Sequence, residues 1–340
     1  MCDQSALLQK IVEDTFTKVS YLKDNVLDWQ AVLATSHSAT SEYVASTIHY
    51  HKAYLSTATD LSITIFENNI PVAIWPLTLY QIGDIYTLQS NCKHIIPPVF
   101  VVNTSKKTIK KIYQQCFNSL KAFSASTNNN IFLTYCPLTD VLWQRIFSPA
   151  IEAVNYQQFL IADLSDDIVN IKKSFRKSYR SLINKGMKLW QPQLHTHMSD
   201  DLLNQFRDFH IQVSGKETRS FTTWKLQQKM VNNQEAFCIS IHDDNSKLIA
   251  IGLFNISPLQ ASYSVGVYDR ELFDLPLGHI IQFEAITYMK KLGVQRYFLG
   301  HRSHLFEQPK PTEKEHSIGF FKEGFSNEIH IEANVTLVFS

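Results

Sequence analysis

Residues 62–79, SITIFENNIPVAIWPLTL, and residues 238–254, CISIHDDNSKLIAIGLF, are two versions of one pattern. Ile63 and Ile65 alternate with other side chains as far as Glu67-Asn68-Asn69, and Ile239 and Ile241 do so as far as Asp243-Asp244-Asn245. Period-two alternation predicts a strand, and an Asx-rich break before a second apolar run predicts a tight turn, so each stretch reads as a hairpin. The copies lie about half a chain apart, which makes them an internal repeat.

The surroundings of the hairpins repeat as well. Apolar spacing predicts a helical pair before each one: Trp29–Thr35 and Tyr43–Tyr54 in the first half, Leu202–Val213 and Trp224–Val231 in the second. Ser41 and Ser199-Asp200-Asp201 stand where caps are expected. After the first hairpin come a strand near Tyr86–Leu88, a break at Pro97-Pro98, a helix over Ile109–Phe123 and a strand Ile131–Tyr135. The second half follows the same order, with a strand Ala261–Tyr268, a helix from His279 to Leu292 capped by Gly293, and a strand Gln295–Leu299. Two α/β units are predicted, 1–165 and 166–340, each a mixed twisted sheet flanked by helices.

Composition narrows the function. Of 340 residues 44% are hydrophobic and 19% charged, and 32 basic against 31 acidic side chains leave a net charge of +1, so bulk charge does not bind DNA. Cys2, Cys92, Cys116, Cys136 and Cys238 are odd in number and form no C-x-x-C pair, which argues against a disulfide framework and a zinc site. With neither a signal pattern nor a bilayer-length apolar run, a cytoplasmic protein is expected.

Charge is concentrated in one place. Ile171–Lys188 holds Lys172, Lys173, Arg176, Lys177, Arg180, Lys185 and Lys188 and no acid. Spacing by four puts Lys172, Arg176 and Arg180 in one row and Phe175, Tyr179 and Ile183 in the next, so one amphipathic basic helix is predicted. Arg176 and Arg180 are its candidate phosphate clamps, and with Phe175 and Tyr179 it would also suit an anionic membrane face, hence peripheral contact at the inner surface. Gln308–Gly319 reads as a loop.

Two segments carry a resemblance: LPLGHIIQFEAITYMKKLGVQRYFLG at 275–300 and SIGFFKEGF at 317–325. With the tandem units and the basic helix, they make the chain from about residue 25 onward resemble the FemAB-like branch of the GCN5-related N-acyltransferase (GNAT) superfamily. The resemblance implies a tandem GNAT-like fold and transfer of an acyl or aminoacyl group to an amine of a cell-wall or surface-glycan precursor, such as a nucleotide- or lipid-phosphate-linked amino sugar. It implies no tightly bound cofactor, the donor being acyl coenzyme A, an acyl carrier protein or an aminoacyl-tRNA. Phe321-Lys322 and Gly324-Phe325 match the family's late pattern, which implies that Lys322 faces the reaction centre and that Phe321 packs a substrate. Gly278 and His279 correspond to the turn that holds coenzyme A pyrophosphate in ordinary acetyltransferases, although the R/Q-x-x-G-x-G/A loop is missing.

Other residues are singled out by position. Tyr268 and Asp269 end the strand that would line the acyl cleft, and they are candidate acceptor contacts; alternation leaves Tyr263 open to a core role. His301 and Arg302 follow the next strand. His301-x-x-His304 lacks a third ligand, so no metal is expected. Ser214-Gly215-Lys216 lacks the preceding glycine of a P-loop, and no nucleophile elbow is present. The rival reading is a degenerate transferase that binds an anionic glycan or membrane through Lys172–Lys188 and catalyses nothing.

Overall fold

A computed structural model describes residues 3–36, 39–55, 57–82, 85–91, 93–127, 131–135, 141–257, 260–307 and 310–339. Chain contacts divide it into a first unit of Met1–Gln157 with Ile331–Ser340 and a second of Gln158–His330. The sequence boundary at 165/166 had kept the C-terminal stretch with the second unit. Cys2, Cys92 and Cys136 lie outside the described residues, whereas Cys116 and Cys238 are buried free thiols.

In the first unit the hairpin forms as Ile63–Glu67 and Ile70–Trp75. Asn68 and Asn69 take φ of 51° and 64°, the left-handed pair that a two-residue hairpin turn needs and that asparagine tolerates. Ile63, Ile65, Ala73 and Trp75 enter a core with Ile112, Cys116, Leu120 and Phe123 of the helix Lys106–Thr127. Helices Val26–Thr35 and Ala45–Tyr54 precede the hairpin. Ser41 opens a separate 3-10 turn rather than capping the second helix, which starts after Val44. A last strand, Glu328–Leu337, pairs through Ala333–Leu337 with Ile131–Tyr135.

The second unit is built on strands in the order Gln193–His195, Ala236–His242, Leu248–Ile256, Gln260–Tyr268, Arg296–His301 and residues 158–163 of the strand Ile151–Asp163. All neighbours are antiparallel except Gln260–Tyr268 with Arg296–His301, which is the crossover through helix Leu277–Lys291. That helix buries Leu277, Ile280, Ile281, Ala285, Ile286 and Met289 on the sheet, and Gly293 follows it at φ 80°. On the other elements, helices Asp200–Ser214 and Phe221–Asn232 precede the hairpin, the first capped by Ser199 Oγ accepting from Leu202 N at 3.2 Å.

Two expectations change. The basic segment is two helices, Ile168–Ser174 and Lys177–Leu189, because Phe175 turns inward against Phe325 and the Arg176 N–H donates to Gly324 O at 2.9 Å. Phe175 is 2% and Tyr179 6% exposed, so these aromatics belong to the core and cannot enter a membrane. The loop expected at Gln308–Gly319, whose residues 308 and 309 lie outside the described part, gives way to helix Glu313–Glu323. Thr312 starts it with a capping box: its hydroxyl accepts from Glu315 N, and the Glu315 carboxylate accepts from Thr312 N.

Candidate active site

The site lies in the second unit where two strands part. Gln260–Tyr268 and Arg296–His301 are paired only through Gln260–Ser262 and Arg296–Phe298. Beyond that, the first strand stays with its antiparallel neighbour as far as Tyr268 opposite Ala250. The second leans on Ile151–Asp163, with Gly300 opposite Leu160 and an irregularity after Phe298. Backbone groups facing the split therefore lose their cross-strand partners.

Lys322, from the C-terminal helix, reaches this split. Gly300 has φ 114°, and a Cβ there would stand 2.7 Å from Lys322 Nζ, so the glycine leaves a seat for the ammonium. Nζ lies 5.5 Å from the centre of the Tyr263 ring, whose face attracts a cation. Among the described residues no carboxylate pairs with Lys322, and burial alone pushes its pKa below the usual lysine range. The Tyr263 and Tyr268 hydroxyls are 2.8 Å apart, and burial lifts Tyr268 to about 12, so it stays protonated.

The start of helix Leu277–Lys291 faces the same place. A Cβ on Gly278 would be 3.0 Å from Phe321 Cζ and 3.6 Å from Tyr268 Cε1, so Phe321 lies over the first turn. His279 stands in an aromatic box, with ring centres 4.4 Å from Tyr179 and 5.2 Å from Phe321. Its Nε2 is buried without a partner; burial first, and Arg176 second, lower its pKa to about 4, so the imidazole is neutral.

The structure thus brings together Lys322, Tyr268, Phe321, Gly278, His279 and Tyr179, and leaves others apart. His301 is next in strand to Gly300 and so points to the opposite face, where its ring meets Phe159 at 5.7 Å and its Nδ1 lies 3.1 Å from Ser303 Oγ. Asp269 accepts from Glu271 N at 3.0 Å and pairs with Lys247 at 3.1 Å, a turn-closing role. Arg176 stacks on Phe320 at 3.9 Å, donates to the Tyr179 hydroxyl at 3.2 Å and to Phe320 O at 3.2 Å, and faces Glu323 at 3.7 Å. Arg302, also on Glu323, is 8% exposed. These arginines clasp the C-terminal helix and have few donors left for a phosphate. Lys172 donates to Asn184 at 2.8 Å and lies over Phe283. Arg180 has no hydrogen bond or ion pair among the described residues. No group of three metal-ligating side chains occurs among the described residues.

Sequence reading missed the role of Gly300, for which a glycine at the end of an apolar strand was the available signal, and left Tyr263 open between core and site.

The chain has a tandem GNAT-like fold, the fold also seen in FemX and in a tandem GNAT protein. It is similar to the crystal structure of FemX, with a TM-score of 0.67 and 11% identity over 93% of this chain and 96% of that one. The structure of L-PGS from Bacillus licheniformis matches at TM-score 0.59 and 12% identity, covering 92% and 91%. A tandem GNAT protein from the clavulanic acid biosynthesis pathway matches at 0.52 and 9%, covering 95% and 100%. The family model for the C terminus of arginine-tRNA-protein transferase matches residues 187–308. No curated protein sequence matches the chain. No helix among the described residues is long and apolar enough to cross a membrane.

Proposed function

We propose that the second unit transfers an acyl or aminoacyl group from an activated ester to an amine. The carbonyl lies in the split between the strands, and the acceptor nitrogen attacks it. The N–C bond forms, the C–O bond of the donor (C–S in a thioester) breaks, and the proton released by the amine leaves with the departing oxygen or sulfur. The observation that carries this reading is the ammonium of Lys322, without a carboxylate partner among the described residues, seated on Gly300 and 5.5 Å from the centre of the Tyr263 ring. A fixed cation at the split stabilises the negative charge that develops on the carbonyl oxygen, the largest single contribution in such reactions. Orientation of the amine supplies much of the rest.

The donor this geometry favours is aminoacyl-tRNA. Phe321 covers Gly278 at the helix start, where coenzyme A pyrophosphate would rest on free N–H groups, and the glycine-rich loop for it is missing. The family model shared with an arginine-tRNA-protein transferase supports the same donor. Lys173, Lys177, Lys185 and Lys188 are exposed on the two basic helices and supply charge for phosphates of the tRNA or of a nucleotide- or lipid-phosphate-linked acceptor. The acceptor class remains the amine of a cell-wall or surface-glycan precursor, and contact with the inner membrane face would follow from a lipid-linked one.

Filter binding with mixed aminoacyl-tRNA, uncharged tRNA and acetyl coenzyme A tests the donor, and mass spectrometry of co-purifying small molecules tests the acceptor. Micromolar binding of the charged tRNA with accelerated ester loss, abolished in Lys322→Ala, is expected. Binding of anionic glycan without turnover of any donor would instead support the non-catalytic rival.

A further inference from the structure

Lys322 is the last residue but one of helix Glu313–Glu323, and its ammonium rides on a flexible four-carbon stem. Its seat at Gly300 therefore depends on where the last helical turn is held. Gly319, one turn earlier, lies against the chain that follows Gly300: a Cβ there would be 3.3 Å from Arg302 Cδ and 3.4 Å from Ser303 N. Glu323 stands four residues after Gly319, on the same helix face, and its Oε2 accepts from Arg302 Nε. Arg302 is itself fixed, since its backbone N–H donates to Gln158 O at 2.8 Å and its Nη1 to Ser303 O at 2.6 Å. The strand that supplies Gly300 thus continues into the residue that grips the neighbour of Lys322.

The turn is held from the basic helices as well. A helix end leaves its last carbonyls without intrahelical partners. Here Phe320 O accepts from Arg176 Nη2 at 3.2 Å, Phe321 O from the Tyr179 hydroxyl at 3.1 Å, and Gly324 O from Arg176 N at 2.9 Å. Arg176 Nη2 also faces Glu323 Oε1 at 3.7 Å, so the two oxygens of one carboxylate meet arginines from two distant segments. The carbonyl bonds hold the end of the helix along its axis, whereas the carboxylate stands off the axis and resists rotation.

We infer that Glu323 is a positioning residue whose carboxylate, held between Arg302 and Arg176, fixes the rotation of the last helical turn and so keeps the Lys322 ammonium over Gly300. The inference rests on the acyl-transfer reading above. A helix with its side chains has a radius of about 6 Å, so a rotation of ~20° carries a group at that radius through ~2 Å. Misplacement of a catalytic group by about 1 Å can cost about 100-fold in rate. Glu323 touches no reacting atom in this role and acts only through the place it gives its neighbour.

The test compares Glu323→Ala, which releases both arginines, Glu323→Gln, which keeps an oxygen for Arg302 Nε, and Arg302→Lys, which keeps the charge and loses the Nε–H. Loss of the ester from mixed aminoacyl-tRNA is followed in single turnover, tRNA affinity by filter binding, and folding by melting scans. Glu323→Ala is expected to slow the step by about 10–100-fold at unchanged affinity, and Glu323→Gln much less. In an Arg302→Lys background Glu323→Ala should cost little more. A second arm needs no donor: trace labelling with acetic anhydride from neutral pH to 10.5, read by mass spectrometry, gives the titration of Lys322. Burial holds that titration below the usual lysine range, so an ammonium freed from its seat should titrate higher in Glu323→Ala and not in Glu323→Gln. An unchanged rate or an unmoved titration in folded Glu323→Ala overturns the inference, as does a Glu323→Gln variant as slow as Glu323→Ala, which would make the charge and not the placement decisive. Should Glu323→Ala fail to fold, Arg302→Lys carries the same two expectations. If the unmodified protein causes no ester loss, the transfer reading fails by itself and the labelling arm alone decides the positioning role.

Discussion

Replacing Lys322 by methionine should make the protein more stable and its chemistry worse. The ammonium is largely buried, touches no carboxylate among the described residues and has only the Tyr263 ring as a compensating contact. Exchanging a buried ion for an apolar side chain of like volume commonly stabilises by about 1–4 kcal/mol, and solvent access at the split places Lys322 near the low end, about 1 kcal/mol. For a unit of this size that is roughly 2–4 °C in melting temperature. The pH dependence supplies a signature. The folded pKa lies below the ordinary value of 10.5, so in the interval between them the unfolded chain binds more protons. Native stability therefore rises with pH through that interval, and the penalty is complete below the folded pKa. Lys322→Met removes it, so the advantage of the variant is largest at neutral pH and shrinks toward pH 10.5. Circular-dichroism melts from pH 7 to 10.5 measure this, alongside ester loss from aminoacyl-tRNA, which should fall by at least 100-fold. A variant that melts lower than the parent at pH 7, or an advantage independent of pH, would refute the claim that this ammonium is unpaired.

Three further outcomes are expected. Gly300→Ala places a side chain at φ 114° and 2.7 Å from the ammonium, so it should cost ~1–3 kcal/mol of stability and reduce turnover more than tRNA affinity, seen by melting and single-turnover rates. His279→Phe should flatten the acid limb of stability. The neutral imidazole, with its pKa at about 4, contributes stability above the unfolded value of 6.5 that is lost as pH falls toward 4, and melts at pH 5 and 7.5 compare the two proteins. Lys177→Glu with Lys185→Glu should weaken charged-tRNA binding at low salt and lower the slope of log affinity against log salt, as measured by titration from 50 to about 200 mM salt, while leaving the melt nearly unchanged.

The legible parts of the fold were those set by local pattern. Both hairpins follow from alternation plus Asx turns, and helix Leu277–Lys291 from its apolar face and Gly293. The elements missed depend on distant partners. Strand Ile151–Asp163 is exposed over Glu152–Tyr156 and buried only from Leu160 to Ala162, so no single period describes it. The break at Phe175-Arg176 exists because Gly324 offers a carbonyl to Arg176 N, almost 150 residues on, where helical spacing alone predicts continuity. The helix after Thr312 was legible in Thr312-Glu313-Lys314-Glu315, but Pro309 and Pro311 just before it read as loop residues; proline next to a helix start is ordinary. At the site, Lys322, Phe321, Gly278 and His279 came through the family resemblance, and Tyr268 through its strand end. His301 was misplaced because position along a strand gives no face until register is known. Tyr263 stayed open between core and site because its face depends on the register shift opposite Leu253 and Phe254, which alternation does not contain.

The first unit is not one continuous stretch, since its sheet takes strand residues Ala333–Leu337 after an insertion that runs from Gln158 to His330. During synthesis at ribosomal speed, Ile131–Tyr135 must wait roughly ten to forty seconds for its partner, while the inserted unit emerges and can fold first. That interval leaves the strand without its partner, so translation pauses and holdase chaperones should govern yield through this strand more than through any residue at the split between the strands.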